Sequence, residues 1–306
     1  MNPIEIAVKN AHRDERAARF LITICGIGAA LVPFFIGGFL LLKGSDTFLL
    51  FGHSLGEFLL SGQWAPSDTA VGGGHVGAAM FLSGSLVTCG LALLISLPLS
   101  ISTAIFMTEI ASPRTRRLIQ PAVELFTGIP SVVYGWIGLT VLIPFLRHFF
   151  TMPYGFSLLA AGCVLAVMVF PTITTMSADA MAAVPKTWRE ASYGLGATRW
   201  ETIARIVIPA ARGGIFTGII LGLARALGEA LAVAMVIGQM KVFPTSLFLP
   251  ASTLTTAIAS DMGGAMEGGE YSAALWTMAL LLFLLSFLFI FVIHRINRAS
   301  QLKGRS

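Results

Sequence analysis

Six long apolar stretches set the limits on what this chain can fold into. Each is long enough to cross the hydrocarbon core of a bilayer, about 30 Å thick, as a helix. They cover residues 20–42, 78–107, 126–146, 156–177, 214–240 and 273–293. Inside lipid each segment must satisfy its own backbone hydrogen bonds, and stretches of this length favour helices over the shorter alternating strands of a barrel. The sequence therefore predicts an all-α, polytopic membrane bundle with six transmembrane helices.

Charge is scarce and unevenly placed. Only 11% of the residues are charged and 56% are hydrophobic, whereas a soluble domain carries roughly 25% charged residues. If the N-terminus is inside, sixteen of the twenty Lys and Arg residues lie in cytoplasmic segments, and only Lys43, Arg147 and Lys241 lie outside. Cytoplasmic loops of membrane proteins are enriched in positive charge. Both termini are therefore predicted to be cytoplasmic, in a cytoplasmic (inner) membrane, and the basic charge balance needs no nucleic acid partner.

The ends of the chain are polar. Residues 1–19 are predicted to be a cytoplasmic tail, residues 20–294 a transmembrane domain, and residues 295–306 a second cytoplasmic tail. The first apolar stretch has no obvious cleavage site and is interpreted as an uncleaved anchor. Cys25, Cys89 and Cys163 lie in apolar stretches and lack the spacing of metal ligands, so they are predicted to be packing residues. The five histidines are expected to be solvated or interfacial. The external loop 43–77 is expected to be irregular, with Trp64 at the headgroup level, and is either solvated or a docking surface.

The cytoplasmic segment 184–214 has its own pattern. Pro185 suits the first turn of a helix, Gly194 and Gly196 would end that helix, and a second amphipathic helix would follow over residues 197–206 and end at Pro209. One interpretation is an interfacial helix on anionic lipid. The alternative is a docking element for another protein.

The segment resembles a motif in the permease subunits of bacterial ABC importers. That motif has Glu-Ala-Ala, three residues, Gly, nine residues and then Ile-x-Leu-Pro. The matching positions here are Glu190, Ala191, Ser192, Gly196, Ile206, Ile208 and Pro209, with Ser in place of the second Ala and Ile in place of Leu. The resemblance implies a cytoplasmic coupling helix, which docks into a cleft on an ATPase subunit and transmits its closure to the membrane helices. Small residues would permit close approach, and the glycine would permit the sharp turn.

A narrower resemblance covers residues 63–296. The stretches VELFTGIPSVVYGWIGL (123–139), LARALGEALAVAMVIG (223–238) and PTSLFLPASTLTTAIAS (244–260) are similar to the C-type permeases of the phosphate-specific (Pst) importers. The resemblance implies four partners besides lipid: a second, A-type permease, two ATPase subunits and an extracytoplasmic phosphate-binding protein. The sequence contains no phosphate-binding G-x-x-x-x-G-K-[ST] loop, so ATP and Mg²⁺ are expected on the partner ATPase and no cofactor in this chain.

Two charges lie within the fifth apolar stretch. Arg225 and Glu229 are one helical turn apart, where they could pair, and each costs about 2.5 to 3.5 kcal/mol on insertion at mid-membrane. They form either a structural ion pair or part of a substrate pathway. In the second case, Arg225 would bind a tetrahedral oxyanion, while Glu229 would accept the proton of phosphate and disfavour sulfate. Small residues recur every four positions beside them and predict close helix packing; these are Gly214, Gly218, Gly222, Ala226, Ala230 and Ala234.

Other polar features have two interpretations. Gly128, Pro130 and Ser131 should interrupt the third helix, either for packing or to expose backbone N–H groups to an anion. Some of the acidic residues at the cytoplasmic ends of the stretches are expected to form structural pairs with nearby arginines; the acidic residues are Glu109, Glu124 and Asp179, and the arginines are Arg114, Arg116 and Arg117. Together with these patterns, the resemblance implies a permease subunit of an ATP-driven phosphate importer, without catalysis in this chain. The alternatives are a permease for molybdate or sulfate, or an ion-coupled secondary transporter, which would favour an internal repeat.

Overall fold

The protein is almost entirely helical. The computed structural model describes residues 3–68 and 73–303. The helices are α1 (Pro3–Leu49), α2 (Leu55–Leu60), α3 (Ala79–Ile105), α4 (Pro113–Gly128), α5 (Ser131–Ile137), α6 (Ile143–Phe149), α7 (Leu158–Ala182), α8 (Lys186–Gly194), α9 (Arg199–Thr202), α10 (Ile208–Gly228), α11 (Leu231–Ile237), α12 (Leu254–Asp261) and α13 (Glu270–Lys303). Three π-helical turns, Phe106–Ile110, Gly138–Leu142 and Ile203–Val207, join or extend helices. One short hairpin pairs β1 (Trp64–Ala65) with β2 (His75–Val76).

Six helical spans in the described residues are long and apolar enough to cross a membrane, which confirms the predicted bundle. In chain order, the first to sixth spans are Ala18–Leu49, Ala79–Ile110, Ser131–Phe149, Leu158–Ala182, Arg199–Gly228 and Glu270–Arg295. The bounds of two spans change most: the third begins after a break at Pro130, and the fifth begins at Arg199 and ends before Glu229. Where it is described, the predicted N-terminal tail belongs to the same helix as the first span, because α1 begins at Pro3.

The fourth span forms the centre of the bundle. Helix α7 is apolar around its circumference, so it is stable only when surrounded by protein or lipid, and it packs mainly against α3 and α10. The predicted small-residue stripe makes the second of these contacts. A Cβ atom added to Gly218 would lie 2.9 Å from Cβ of Met176, and one added to Gly222 would lie 2.7 Å from Cγ1 of Ile173. Glycine therefore allows α10 to approach α7 closely.

The helix that follows the glycine turn does not end at Pro209, as the sequence predicted. It continues from Arg199 through a π-helical turn into α10. Ile208 donates its N–H to the carbonyl of Ile203, five residues earlier. The wider turn relieves the clash that a proline ring makes with the carbonyl four residues before it, so Pro209 is accommodated near the start of α10.

At the far end of the bundle, the loop between the first two spans is folded rather than irregular. His53 is buried, with Nε2 2.5 Å from Oε1 of the fully buried Glu270, and Ser67 donates its N–H to the same carboxylate at 2.6 Å. Trp64 packs edge-on against Phe81, with the ring centroids 5.2 Å apart. The burial of His53 corrects the expectation that this histidine is solvated or interfacial. The contacts with Glu270 tie the loop to the start of α13.

The loop after α11 is also fixed at this end. Lys241 forms an ion pair with Asp261 at 2.7 Å and a hydrogen bond with the hydroxyl of Tyr271 at 3.3 Å. Burial alone would lower the pKa of Lys241, but its bonds to Asp261 and Tyr271 outweigh that effect and raise the pKa above its ordinary value. The ammonium group therefore joins the loop to α12 and α13.

Candidate functional site

The fifth span is interrupted at the second of its two charges. Helix α10 ends at Gly228, Glu229 is extended with φ −80° and ψ 123°, and α11 begins at Leu231. Oε1 of Glu229 accepts the N–H of Ala232 at 3.1 Å. The carboxylate is thus directed to the first turn of the next helix, away from the turn that carries Arg225.

The predicted pairing of Arg225 with Glu229 is therefore wrong for this conformation. Nη1 of Arg225 lies 3.5 Å from the hydroxyl of Thr172 on α7, which is a long hydrogen bond, and within the described residues the guanidinium has no ion pair. Arg225 is half-buried and lies within electrostatic range of Tyr134 on α5. A guanidinium has five N–H donors. Arg225 consequently has donors free for a ligand.

The third span breaks where the sequence predicted. Helix α4 ends at Gly128, Pro130 is extended, and α5 begins at Ser131. The hydroxyl of Tyr134 on α5 donates to the carbonyl of Phe126 on α4 at 2.5 Å, so this hydrogen bond spans the break.

The two helices that follow the breaks are in contact with each other. Helix α5 packs on α11, and a Cβ added to Gly135 would lie 2.9 Å from Cα of Ala232. Gly135 is the fifth residue of α5 and Ala232 the second of α11. The fold therefore brings the break at Pro130 and Ser131 towards the break at Glu229.

Hydroxyl groups surround Glu229, and the sequence analysis missed them. Ser85 and Thr88 on α3, with Thr253 and Thr255 before and in α12, line a cavity at Glu229 of only about 10 Å³. This volume holds at most one water molecule. Thr255 donates its hydroxyl to the backbone carbonyl of Glu229 at 2.9 Å. The available signal was the TLTT run at 253–256 beside an apolar stretch.

The second predicted site is the helical hairpin of α8 and α9, here named the α8–α9 element. Gly196 turns the chain between the helices with φ +84°, in the left-handed region where glycine is favoured. Thr198 and Glu201 form a capping box at the start of α9. The predicted motif residues Glu190 and Ala191 are exposed, whereas Ser192 is buried and its hydroxyl lies 2.9 Å from that of Thr202.

The outer surface of the α8–α9 element is apolar and open. Trp188, Tyr193, Leu195 and Trp200 are exposed, with Leu195 90% accessible. A cleft of about 290 Å³ follows the turn and is lined by Ser192, Leu195, Gly196, Ala197, Glu201, Arg205 and Ile206. Exposed aromatic and aliphatic side chains around a polar cleft are typical of a protein-docking surface.

Arg189, which the sequence analysis did not single out, fixes the element to the bundle. Its guanidinium binds the carboxylate of Glu109, with Nε to Oε2 at 3.1 Å and Nη2 to Oε1 at 2.6 Å. The expected pairing of Glu109 with Arg114, Arg116 or Arg117 is therefore wrong, because a residue eighty positions away occupies both oxygens. Among the described residues, no group of three or more His, Cys, Asp or Glu side chains is arranged to hold a metal ion.

Comparisons with known proteins agree on one family. A family model described as "Binding-protein-dependent transport system inner membrane component" matches residues 96–301. A probable ABC transporter permease protein of Bacillus subtilis, YqgH, is 47% identical over 289 residues, covering 94% of this chain and 93% of that protein. The phosphate transport system permease protein PstC of Mesorhizobium japonicum is 38% identical, covering 90% and 86%.

The fold has solved counterparts. A chain of a bacterial alginate ABC transporter in complex with a pentasaccharide-bound periplasmic protein matches with a TM-score of 0.65 and 20% identity, over 95% of this chain and 96% of that chain. A chain of the MetNI methionine ABC transporter in an inward-facing conformation matches with a TM-score of 0.55 and 24% identity, over 72% and 93%. At these identities the likeness establishes the fold alone.

Proposed function

Because the chain belongs to the family of inner membrane components of binding-protein-dependent transport systems, we propose that it is the permease subunit of an ATP-driven importer that moves inorganic phosphate into the cytoplasm. The observation that carries the substrate assignment is Arg225, a half-buried guanidinium with free donors beside two helix breaks. The name of the Mesorhizobium relative, a phosphate transport permease, supports the same substrate. Molybdate and sulfate are the competing substrates.

The division of labour follows from what the chain contains. It has no phosphate-binding loop for ATP, so two partner ATPase subunits supply ATP hydrolysis with Mg²⁺, and this chain needs no cofactor. The apolar surface of the α8–α9 element, with Glu190 and Ala191 exposed on it, supports docking to one of them. A second, A-type permease and an extracytoplasmic phosphate-binding protein complete the complex, which lies in the inner membrane with both termini of this chain in the cytoplasm.

Phosphate selection follows from the groups around the breaks. Arg225 offers forked donors to a tetrahedral oxyanion, and the backbone N–H groups freed near Pro130 and Ser131 add neutral donors. Glu229 has one carboxylate oxygen on Ala232, so its other oxygen can accept the proton of monohydrogen phosphate. Sulfate has no such proton near neutral pH and is repelled. The cavity at Glu229 is too small for an anion, so passage requires the helices around it to separate.

Reconstitution tests this assignment directly. The complex of both permeases and two ATPases is placed in liposomes with ATP inside and the loaded binding protein outside, and labelled phosphate uptake is measured. We expect uptake that requires ATP, resists ionophores and is not reduced by a tenfold excess of sulfate or molybdate. Uptake that survives without ATP and collapses with an ionophore would instead identify a secondary transporter. Transport of sulfate or molybdate in place of phosphate would overturn the substrate assignment.

A further inference from the structure

One acidic residue of the second span is held by both helices of the α8–α9 element. Glu109 lies in the π-helical turn Phe106–Ile110 that ends the second span. Its side chain is 7% exposed, and both carboxylate oxygens accept hydrogen bonds from Arg189 of α8. Arg199, the first residue of α9, donates Nη2 to the backbone carbonyl of the same glutamate. The side chain of Glu109 is therefore bound by α8, and its backbone carbonyl is bound by α9.

Arg189 also binds the end of the fourth span. Nη1 donates to the carbonyl of Val184 at 2.6 Å, and Nη2 donates to that of Met181 at 2.8 Å. The guanidinium thus makes four hydrogen bonds to residues outside α8, with 16% of the side chain exposed. A forked, charge-assisted contact fixes direction as well as distance. Rotation of α8 relative to the second or fourth span would break several of these bonds together.

The covalent connection of the element to α10 is of a different kind. The α8–α9 element continues into α10 through the π-helical turn Ile203–Val207. A π-helical turn is a wide, weakly populated helical form that often occurs at functional positions. The charged hydrogen bonds of the element are therefore with the ends of the second and fourth spans, although its chain continues into α10.

We infer that Glu109 is a positioning residue through which the α8–α9 element moves the second span: element, second span and the adjoining end of the fourth span shift as one rigid body. The inference rests on the proposed function, since it gives the motion of a docked ATPase its route into the membrane. It assigns transmission to a specific ion pair, Arg189 with Glu109, rather than to the chain connection through Val207.

Distance measurement by electron paramagnetic resonance tests the rigid body without any transport substrate. Spin labels are placed at Thr187 on α8 and Ser102 on α3, both exposed, after Cys25, Cys89 and Cys163 have been replaced by alanine. In the assembled complex we expect one narrow distance that is the same with and without bound ATP. In Glu109→Gln the distribution should broaden and shift when ATP binds. A distance that shifts with ATP in the unmodified pair, or stays narrow and fixed in Glu109→Gln, would overturn the inference.

A second readout is the number of phosphate ions moved per ATP hydrolysed by assembled complexes. We expect Glu109→Gln to lower this ratio at least about tenfold, because a charged hydrogen-bond acceptor is lost, while ATP hydrolysis continues. Glu124→Gln is the matched control, because Glu124 is an exposed glutamate on α4 that accepts a hydrogen bond from Gln120 at 3.0 Å. The number of phosphate ions moved per ATP should be unchanged in this variant. An unchanged ratio in Glu109→Gln would contradict the proposed role.

A double variant covers the case in which Glu109→Gln fails to assemble because Arg189 is left buried without its partner. Glu109→Gln with Arg189→Gln removes both charges at similar volume and should assemble with a ratio as low as expected for the single variant. A double variant with the normal ratio would show that the pair only stabilises the fold. If the unmodified complex moves no phosphate, the proposed function fails, but the distance measurement still decides the rigid body.

Discussion

Arg189 with Glu109 and Arg225 with Glu229 are two pairs of opposite charges in different parts of this protein, and only the first of these two is an ion pair. Arg189 and Glu109 meet at 2.6 Å with two donors on two oxygens. Arg225 and Glu229, only four residues apart, are separated by a helix break and bind neutral groups instead, a hydroxyl and a backbone N–H. In the first pair each charge is bound by the other, and the pair holds α8 against the end of the second span. In the second pair neither charge binds the other, so both remain available to a transported anion.

Backbone conformation causes this difference. At Glu109 the chain remains helical in a π turn, so the carboxylate points across to α8. At Glu229 the chain is extended, which turns the carboxylate away from the preceding helical turn and into the next helix. Proximity in sequence therefore does not decide pairing. The conformation of the residue that carries the charge does.

The largest expected effect separates a substrate site from a structural pair in the membrane. Arg225→Gln with Glu229→Gln removes both charges at similar volume, so no buried charge is stranded. If Arg225 binds the anion, the double variant should assemble but lose phosphate uptake by roughly 100-fold, the equivalent of one or two charged hydrogen bonds. Uptake by purified complexes in liposomes, normalised to assembled complex, is the measurement.

The exposed Arg147→Gln provides the control for loss of a positive charge elsewhere, and its uptake should be normal. Near-normal uptake by the Arg225 and Glu229 double variant would place this pair in the same structural class as Arg189 and Glu109, and the comparison between the two pairs would fail.

The next effect concerns the turn of the α8–α9 element. Gly196→Val places a β-branched residue at φ +84° and should reduce uptake about tenfold, because left-handed backbone costs about 1–2 kcal/mol for a residue with a Cβ. Gly194→Val is the matched control, since a Cβ at either glycine meets no atom within 4 Å and only Gly196 has positive φ. Equal uptake by both variants, at equal amounts in the membrane, would show that the turn geometry is unimportant.

A smaller effect tests the role of Glu229 in selectivity. Glu229→Gln retains an oxygen that can accept the N–H of Ala232, so the break should persist, but the negative charge is gone. We expect phosphate uptake to fall severalfold and inhibition by sulfate to strengthen by about tenfold, or roughly 1.4 kcal/mol. The measurement is the sulfate concentration that halves labelled phosphate uptake. If neither phosphate uptake nor sulfate inhibition changes, Glu229 does not select the anion.

Sequence predicted those features that depend on local chemistry. The lengths of the apolar stretches located the six spans, Pro130 located the break in the third span, and Gly196 located the turn between α8 and α9. Glycines at intervals of four located the face of α10 that packs on α7. In each case the constraint comes from the residue itself, a missing side chain, a fixed ring or an apolar surface.

Features that depend on distant partners escaped prediction. Glu109 and Arg189 are eighty residues apart, and His53 and Glu270 are 217 apart, so their pairing follows from how the helices assemble. The break at Glu229 has no proline, and ALGEALAV contains mainly good helix formers. Its causes are tertiary: Thr255 binds the carbonyl of Glu229, and α5 packs closely on α11.

The smallest expected effect lies within the α8–α9 element itself and sharpens the contrast with its ion pair. Ser192 stands where the resembled motif has alanine, and its hydroxyl bonds that of Thr202 at 2.9 Å. Thr202 also donates to the carbonyl of Thr198 at 3.1 Å, so it keeps a partner when Ser192 is changed. Ser192→Ala should cost at most about 1 kcal/mol, because no buried polar group is stranded.

The expected result for Ser192→Ala is uptake within about twofold of the unmodified complex, with a slightly lower melting temperature. Ser192→Val, which keeps the loss of the hydroxyl but adds volume at a 9% exposed position, should be worse, since overpacking costs about 1–3 kcal/mol. Loss of uptake in Ser192→Ala as large as in Glu109→Gln would mean that a neutral hydrogen bond transmits as much as the buried ion pair. The ion pair of Arg189 with Glu109 would then have no special role among the contacts of the α8–α9 element.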